Sequence, residues 1–581
     1  MNRKNIVSVL MAVFMLLCIL PIGIFAGGEI PIDEAHFPDA NFREFILTGN
    51  WFDYNYNEHR IDADGSGTLS PSEMAAVKGI DVSKREIGDL TGINYFIALN
   101  ELDCSYNKLT SLDISQNTNL KYFTCFKNEL TGLDISSNTA LESMTCDYNN
   151  ISALNVSNNP KLDWLSCTGN KLTALDVGNN IKLTNLYCAD NLITSFDVSK
   201  NVLLSYFYCN GNELTELDVS KNTLLNTLNC AANHLKELDL TNNTKLWHLN
   251  FSKNPLQDPH QPMETLSEET IANLFTLRCY GLGLTELDVS PYKGLKELDC
   301  SDNALTALDI SNNKLLRIFN CSDNSLTALD ISNNPDLRDL NCSGNDLPNI
   351  DLSHNEHIVW FNYGYNPLQD PHQPLETLSR EAVKELRFLV CDGLYLTELD
   401  LTPYTNLLTL DCSCNSLTTL DLSCNTALEE LDCSDNNLTS LDLSRNAMLE
   451  KLVCLNNGYR VPSDPFDLSE LPGNFDAGKT SDWEGCTLNG SIITFTAETA
   501  HYTYDCGGGH YAEFTLLSPD YTAQPGDYNG DGNITVEDAV MILRAALGLA
   551  EGGIPGSADF DGDGEIAVQD AVMTLRAAIG F

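Results

Sequence analysis

Leu120-Lys-Tyr-Phe-Thr-Cys-Phe-Lys-Asn-Glu-Leu-Thr-Gly-Leu-Asp-Ile-Ser-Ser-Asn-Thr-Ala140 is one turn of a pattern that runs through most of the chain. It reads LxxLxCxxNxL followed by TxLDxSxNTx. Cysteine marks the register: Cys104, Cys125, Cys146, Cys167, Cys188, Cys209 and Cys230 follow one another at intervals of 21 residues. Phe251 takes the next rung, Cys279, Cys300, Cys321 and Cys342 continue it, Tyr363 substitutes again, and Cys391, Cys412, Cys433 and Cys454 complete it. Val82 of Ile80-Asp-Val82 supplies an earlier rung. A fixed period of this length belongs to a solenoid, in which each coil buries its apolar side only against its neighbours. Leu120, Phe123, Cys125, Leu130, Leu133 and Ile135 are expected to face that shared core. A rung that accepts Phe or Tyr in place of Cys asks for a buried apolar side chain. The ladder therefore reads as reduced packing thiols, although 20 cysteines in an exported chain would ordinarily suggest disulfides.

Two asparagine ladders punctuate the coils, one through Asn107, Asn128, Asn149, Asn170 and Asn191, the other through Asn117, Asn138, Asn159 and Asn180. Their expected work is structural, since a buried amide can satisfy backbone groups that a turn leaves unpaired. An aspartate ladder at Asp113, Asp134, Asp176, Asp197 and Asp218 stacks like charges, which repel by roughly 0.8 kcal/mol at coil spacing in water. Capping of turns by these carboxylates is the first explanation and calcium along the convex side the second. After Phe251 and Tyr363 the period lengthens by seven residues, and the inserts nearly repeat as Pro255-Leu-Gln-Asp-Pro-His-Gln-Pro-Met-Glu-Thr-Leu-Ser267 and Pro367-Leu-Gln-Asp-Pro-His-Gln-Pro-Leu-Glu-Thr-Leu-Ser379. Each predicts a convex-side helix beginning near Ser267 or Ser379. His260 and His372 lack a nearby Cys or second His, so loop shaping is favoured over metal binding.

The segments outside the repeats carry oxygen-rich loops. Asp62-Ala-Asp64-Gly-Ser66-Gly-Thr68-Leu-Ser70-Pro-Ser-Glu73 places Asp62, Asp64, Ser66, Thr68, Ser70 and Glu73 at calcium-loop spacing, with the helical pattern Phe37–Ile46 ahead of it. This looks like a single EF-hand serving as an N-terminal cap. Near the other end the same loop occurs twice, 32 residues apart: Asp527-Tyr-Asn-Gly-Asp-Gly-Asn-Ile-Thr-Val-Glu-Asp538 and Asp559-Phe-Asp-Gly-Asp-Gly-Glu-Ile-Ala-Val-Gln-Asp570. The expected ligand positions are Asp527, Asn529, Asp531, Asn533, Thr535 and Asp538, then Asp559, Asp561, Asp563, Glu565, Ala567 and Asp570. A short apolar helix follows each loop, so two loop–helix units can pair. Between the repeats and these loops, Ser491–Glu498 and His501–Cys506 suggest short strands. Cys486 with Cys506, and Cys414 with Cys424, are candidate disulfide pairs whose separation the sequence leaves open.

The 21-residue unit resembles the leucine-rich repeat family in its short bacterial form from Val77 to about Asn457. The duplicated loop–helix unit resembles a dockerin, the module that plugs proteins into cohesin domains of a cellulosomal scaffoldin. Its twelfth loop position is Asp, and no helix precedes either loop. The resemblances imply an α/β solenoid: a leucine-rich repeat horseshoe with a parallel β-sheet on the concave face, a small β-rich C-terminal cap and a small all-α calcium-binding dockerin domain. The expected divisions are a signal peptide at 1–26, an N-terminal cap at 27–76, the repeats at 77–458, the C-terminal cap at 459–517, a linker at 518–525 and the dockerin at 526–581. By analogy with dockerins, the cohesin-facing residues are Val536, Glu537, Leu543 and Arg544, mirrored by Val568, Gln569, Leu575 and Arg576. Well-studied clostridial members often carry Ser-Thr at those loop positions, so Val-Glu and Val-Gln leave the cohesin class open.

Composition narrows the partners. A formal charge of −48 excludes a nucleic-acid role. Met1–Ala26 has the basic start and apolar run of a secretory signal, and no later stretch reaches the roughly 18 apolar residues that span a bilayer. The mature chain is expected to be soluble, secreted, and held on a scaffold or cell surface through the dockerin. Tyr122, Phe126, Trp164, Tyr187, Tyr206 and Tyr208 flank the buried strand positions of consecutive coils and form a candidate ligand face, with sheet-stabilising stacking as the alternative. Neither HExxH, GxSxG nor GxxxxGK is present, so the expectation is a non-catalytic subunit that uses its repeat surface to bind a protein or carbohydrate. A surface adhesin, or a polysaccharide-active enzyme of unrecognised type, is the alternative.

Overall fold

The computed structural model describes residues 28–52, 58–521, 526–528, 534–546, 556–560 and 566–579. The chain divides into two compact units, Met1–Lys245 and Leu246–Phe581.

The first unit opens with a cap that seals the exposed end of a coil stack. Phe37, Phe42, Phe45 and Ile46 are buried beneath the helix Ala40–Thr48. Asp39 caps that helix by accepting from the N–H groups of Asn41 and Phe42, and its other oxygen accepts from Gly88 N at 2.8 Å, which ties the helix to the first coil. Gly92, at φ 106°, brings its backbone so close to Phe37 that a Cβ would lie 2.4 Å from the ring. The acidic loop is not entered from a helix. A hairpin of Asn50–Phe52 with Glu58–Arg60 intervenes between Ala40–Thr48 and Asp62, so the single EF-hand expected from sequence is a loop with only its exiting helix, Pro71–Ala76, adjoining it.

Eight three-residue strands follow, from Gly79–Asp81 to Thr227–Asn229, paired parallel in strict coil-to-coil register. The middle residue of each strand and the cysteine two positions on point inward, because side chains alternate along a strand. Leu102, Phe123, Met144, Leu165, Leu186, Phe207 and Leu228 are all buried. Leu133, expected inside, is only partly covered. Each cysteine thiol lies under the next coil, and Cys104 Sγ donates to Thr124 O at 3.4 Å.

The asparagines explain how so short a coil closes. Asn128 Oδ1 accepts from Leu109 N at 3.0 Å while its Nδ2 donates to Cys104 O and Cys125 O. One amide thereby satisfies backbone groups of two coils, which an apolar residue would leave buried and unpaired. In the second ladder Asn138 Nδ2 donates to Ile114 O and Asn117 O, and the Oδ1 atoms of Asn117, Asn138 and Asn159 receive no hydrogen bond among the described residues. The aspartates close turns: Asp113 and Asp134 accept from Ser115 N and Ser136 N at 2.9 Å, and Asp176, Asp197 and Asp218 do the same with the residue two positions on.

The second unit holds ten further parallel strands, from His248–Asn250 to Lys451–Val453. Helices on its coils occur at the two inserts, as Gln261–Glu264 with Glu268–Asn273 and as Gln373–Glu376 with Arg380–Glu385; Ser267 and Ser379 cap the second of each pair. The seven extra residues widen the coil, and a ring fills the added space where other coils carry a thiol. Phe251 and Tyr363 are fully buried, and Tyr363 stacks on Phe361 at 4.7 Å. His260 and His372 reach Glu286 O and Glu398 O at 3.0 and 2.8 Å, pinning each insert to the following coil.

The last coils are covered by a four-stranded sheet built around His510–Leu517 and Thr499–Gly507 and by a three-stranded sheet of Phe466–Asp467, Ile492–Phe495 and Cys486–Asn489. Tyr502 donates to Thr439 O at 2.6 Å, and Thr515 N donates to Asn457 O at 2.9 Å. Cys414, Cys424, Cys486 and Cys506 are not disulfide-bonded, so neither candidate bridge is formed. The helices Val536–Ala546 and Val568–Ala578 pack on Ile542, Ala558 and Ala571, with Tyr528 and Ile566 against them.

Candidate functional site

Three loops share one closure. In the first, Glu73 takes the N–H of Ala63 on one oxygen and that of Ser70 on the other, both at 2.8 Å. Asp538 does the same with Tyr528 and Thr535, and Asp570 with Phe560 and Ala567, each at 2.8 Å. In every copy the twelfth residue therefore clamps the second and ninth, and an aspartate performs this in the C-terminal pair as well as the glutamate does at the N-terminus. Carboxylate lone pairs remain for a cation, because an ionised carboxylate offers about four acceptor sites.

At the N-terminal loop, ligand oxygens of Asp62, Asp64 and Glu73 lie within 4.8 Å of one another. Gly67 sits at φ 76°, the left-handed turn that bends the loop around its centre. Ser66 N and Gly67 N donate to the two Asp62 oxygens at 3.1 and 3.0 Å. Ser66 and Thr68 hydroxyls meet at 3.0 Å, and Ser70 Oγ donates to Glu73 at 2.7 Å. The Ser66 side-chain and backbone donors hold Asp64 below its ordinary carboxyl value. Burial pushes Glu73 up, but the donors of Ser70 and Ala63 outweigh it and leave the group lowered.

Of the C-terminal loops, Asp527, Thr535, Asp538, Asp559, Ala567 and Asp570 are described; Asn529, Asp531, Asn533, Asp561, Asp563 and Glu565 lie outside the described residues. Asp527, Asp538 and Asp570 are buried. Tyr521 donates to Asp527 at 2.9 Å, and Arg460 donates to Tyr521 O at 2.7 Å, which links the first ligand position to the β-rich segment before it.

The helices following these loops keep an apolar stripe uncovered. Val536 and Leu543 are 51% and 36% exposed, and Val568 and Leu575 are 48% and 38% exposed. Each pair is seven residues apart, two helical turns, so each lies on one face. Gln569 and Arg576 are exposed beside the second stripe and Arg544 is partly exposed beside the first; the Glu537 side chain lies outside the described residues. Sequence reasoning missed Val572 and Ile579, which extend the second stripe. Their four- and eleven-residue offsets from Val568 were the available signal.

The concave aromatics of the first unit do not form one run. Trp164, Tyr187 and Tyr208 make a ladder with ring centroids 5.0 Å apart at each step. Phe126 instead joins Tyr106 and Tyr148, at 5.0 and 5.5 Å, with Lys127 above all three rings. Tyr122 is exposed and donates to Glu142, and Tyr206 is partly buried outside both ring groups. Tyr106 and Tyr148 were missed because they stand one position beyond the column read as outward-facing.

The buried cysteines offer no nucleophile. Burial pushes the Cys230 thiol up to about 12 and raises Cys104, Cys125 and Cys146 likewise, which keeps them protonated and inert.

Residues 525–576 match the Dockerin type I domain. A stretch of 92 residues, 16% of the chain, is 33% identical to internalin J of Listeria monocytogenes serotype 4b (strain F2365) and spans 9% of that protein's length. Among solved structures, the functional domain of internalin J from Listeria monocytogenes, which includes a cysteine ladder, is 27% identical, with 85% of this chain and 99% of that one covered and a TM-score of 0.46. A leucine-rich repeat protein of Leptospira interrogans is 22% identical, with 65% and 91% covered and a TM-score of 0.42. Among the described residues no helix is long and apolar enough to cross a membrane.

Proposed function

For a leucine-rich repeat chain that carries a type I dockerin, we propose the role of a non-catalytic extracellular subunit that docks onto a cohesin of a cellulosome-like scaffoldin and presents its repeat surface to a protein or glycan. The observation that carries the reading is the pair of exposed apolar stripes, Val536 with Leu543 and Val568 with Leu575, on two helices that already bury their opposite faces against each other. An apolar stripe of this kind on a small module marks a protein-binding face.

Calcium would be held by Asp527, Asn529, Asp531, Asn533, Thr535 and Asp538, by the equivalent set from Asp559 to Asp570, and by Asp62, Asp64, Ser66, Thr68, Ser70 and Glu73. These sets are hard oxygen donors, as calcium requires, and the backbone clamps at Glu73, Asp538 and Asp570 fit a loop drawn around a cation. When bound, the ion supplies positive charge that offsets crowded carboxylates. Ala567 has no side-chain oxygen and contributes through its backbone alone. Residues 459–517 act as the C-terminal cap and 518–525 as a linker in this reading.

Capture of the intact protein on immobilised cohesins of several classes, in calcium and in excess chelator, tests it. Calcium-dependent capture by at least one class is expected. Indifference to every cohesin, with the loop–helix pair shown to be folded, would sink the docking role.

A further inference from the structure

An open cavity lies on the sheet of the second unit, lined by residues other than the aromatics that the sequence singles out. Cross-strand register places Ile318, Asp339, Trp360 and Phe388 side by side in one column, and Asn320, Asn341, Asn362 and Val390 in the column two residues on. Neighbours in a column stand about 4.8 Å apart. Together Ile318, Asn320, Asp339, Asn341, Trp360 and Phe388 line an open cavity of about 490 Å³. Ile318 is 43% exposed, and Trp360 and Phe388 are half-buried, so apolar ring and aliphatic surface faces the opening.

The polar groups around this surface are incompletely used. Asn341 Oδ1 accepts from Ser343 N and from the Ser343 hydroxyl at 3.2 and 2.8 Å, and Asn362 Oδ1 accepts from Gly364 N at 3.1 Å. These bonds fix both amides with the oxygen engaged, and neither Nδ2 has a protein acceptor among the described residues. Asp339 stands between Ile318 and Trp360, and its carboxylate has no hydrogen bond or ion pair among the described residues. Burial raises its carboxyl above the ordinary value, with Arg338 acting against the shift. Asn320 differs, since its Nδ2 is occupied by Ser301 Oγ at 3.2 Å. The site thus combines an apolar platform, an unpaired acceptor and two unpaired donors within adjacent rungs.

We propose that this cavity binds a neutral glycan segment, with a flat pyranose face on Trp360, hydroxyl hydrogens on Asp339, and hydroxyl oxygens receiving hydrogen bonds from Asn341 and, beside the lining on the next rung, from Asn362. A sugar unit presents both donors and acceptors around a C–H face, and so uses all three kinds of group. A cationic peptide would pair with Asp339 but leave the amide donors unused. Units whose ring substituents are all equatorial, as in β-linked glucose and xylose chains, have the flat face that an indole can cover. The inference rests on the proposal that the repeat surface binds a ligand, and it names the ligand class and the subsite.

The test uses the full chain in calcium, titrated calorimetrically with short soluble oligosaccharides of β-linked glucose and of β-linked xylose, with Trp fluorescence as a second readout. One of the two series is expected to bind. Trp360→Ala and the near-isosteric Asp339→Asn should each weaken it by roughly tenfold or more. Melting temperature monitors folding, and Asp339→Asn keeps the test decisive where Trp360→Ala is unstable. Binding that survives both variants and is lost in Trp164→Ala would keep a concave ligand face and overturn this subsite. Absence of binding to either series with cohesin capture intact would overturn the glycan inference, as would preference for a Lys- and Arg-rich peptide that Asp339→Asn abolishes.

Discussion

The coils and the C-terminal loop pair both crowd carboxylates, and they relieve the crowding by different means. In the coils each ladder aspartate is spaced a full turn from the next and spends one oxygen on the N–H two residues ahead, as Asp134 does with Ser136. Buried asparagines then tie successive coils through the backbone. In the loop pair the twelfth-position carboxylates turn to the backbone instead, and clamps such as Asp538 on Tyr528 and Thr535 satisfy two N–H donors without removing the charge. The solenoid is therefore held by groups the chain itself supplies, whereas the proposed role of the loop pair calls on a cation.

The largest expected effect separates the two. Chelation should abolish the helical signal of the C-terminal module and reduce cohesin capture by roughly a thousandfold, while the main unfolding transition of the coils moves little. Circular dichroism with capture assays reads both, and a helical spectrum unchanged in excess chelator would count against a calcium-built module. The next effect lies within the docking faces. Substituting Val536 and Leu543 by Asp, or Val568 and Leu575, should leave capture largely intact because the other face can take over, and the quadruple variant should lose it. If one pair alone abolishes binding in calorimetry, a single orientation is used.

The coils are best broken at the asparagines. Asn128→Ala removes one acceptor and two donors from buried backbone groups and should destabilise the solenoid by about 3 kcal/mol in urea unfolding, with or without calcium. A cost below about 1 kcal/mol would mean that water replaces the amide.

Acidity sharpens the same contrast. Burial, with Asp411 nearby, pushes Asp392 from 3.8 up to about 7. A group with a raised folded value contributes its stability fully below the ordinary value and loses it as pH climbs through the folded one. The second unit should therefore weaken between about pH 4 and 7 by up to about 4 kcal/mol, and Asp392→Asn should flatten that decline in pH-dependent melts. Asp197 and Asp218, lowered by the hydroxyl and backbone donors of Ser199 and Ser220, act with the opposite sign and lose their contribution as pH falls through their depressed folded values. The smallest effect is expected from Trp164→Ala with Tyr187→Ala: about 1 kcal/mol of lost stacking, no change in cohesin capture, and weaker retention of whatever the first unit's concave face binds. Unaltered retention would leave stacking as the role of those rings.

Much of this was readable because a repeat is its own alignment. The strict 21-residue spacing announced the inward cysteines, both asparagine ladders and the turn-closing aspartates, and the lengthened period after Phe251 and Tyr363 located the inserts and their Ser267 and Ser379 caps. The signals failed where contacts are not periodic. The hairpin between Thr48 and Asp62 has too little apolar alternation to stand out, and Tyr106 and Tyr148 meet Phe126 diagonally across coils. Trp360 and Phe388 escaped for a further reason. They are 28 residues apart, not 21, because the insert lies between them, and only strand pairing puts them side by side.

The sequence by itself determined the period, most of the buried positions, the duplicated loops and the acidic character of the chain, since each is a matter of residue type, counted or at fixed spacing. Tertiary structure alone decided which rings stack on one another, that the candidate cysteine pairs are not bridged, and which amides and carboxylates of the second unit's sheet lack a partner among the described residues. Those outcomes depend on side chains from different coils meeting at distances of a few ångströms, and spacing along one chain does not record who occupies the neighbouring rung once the period breaks.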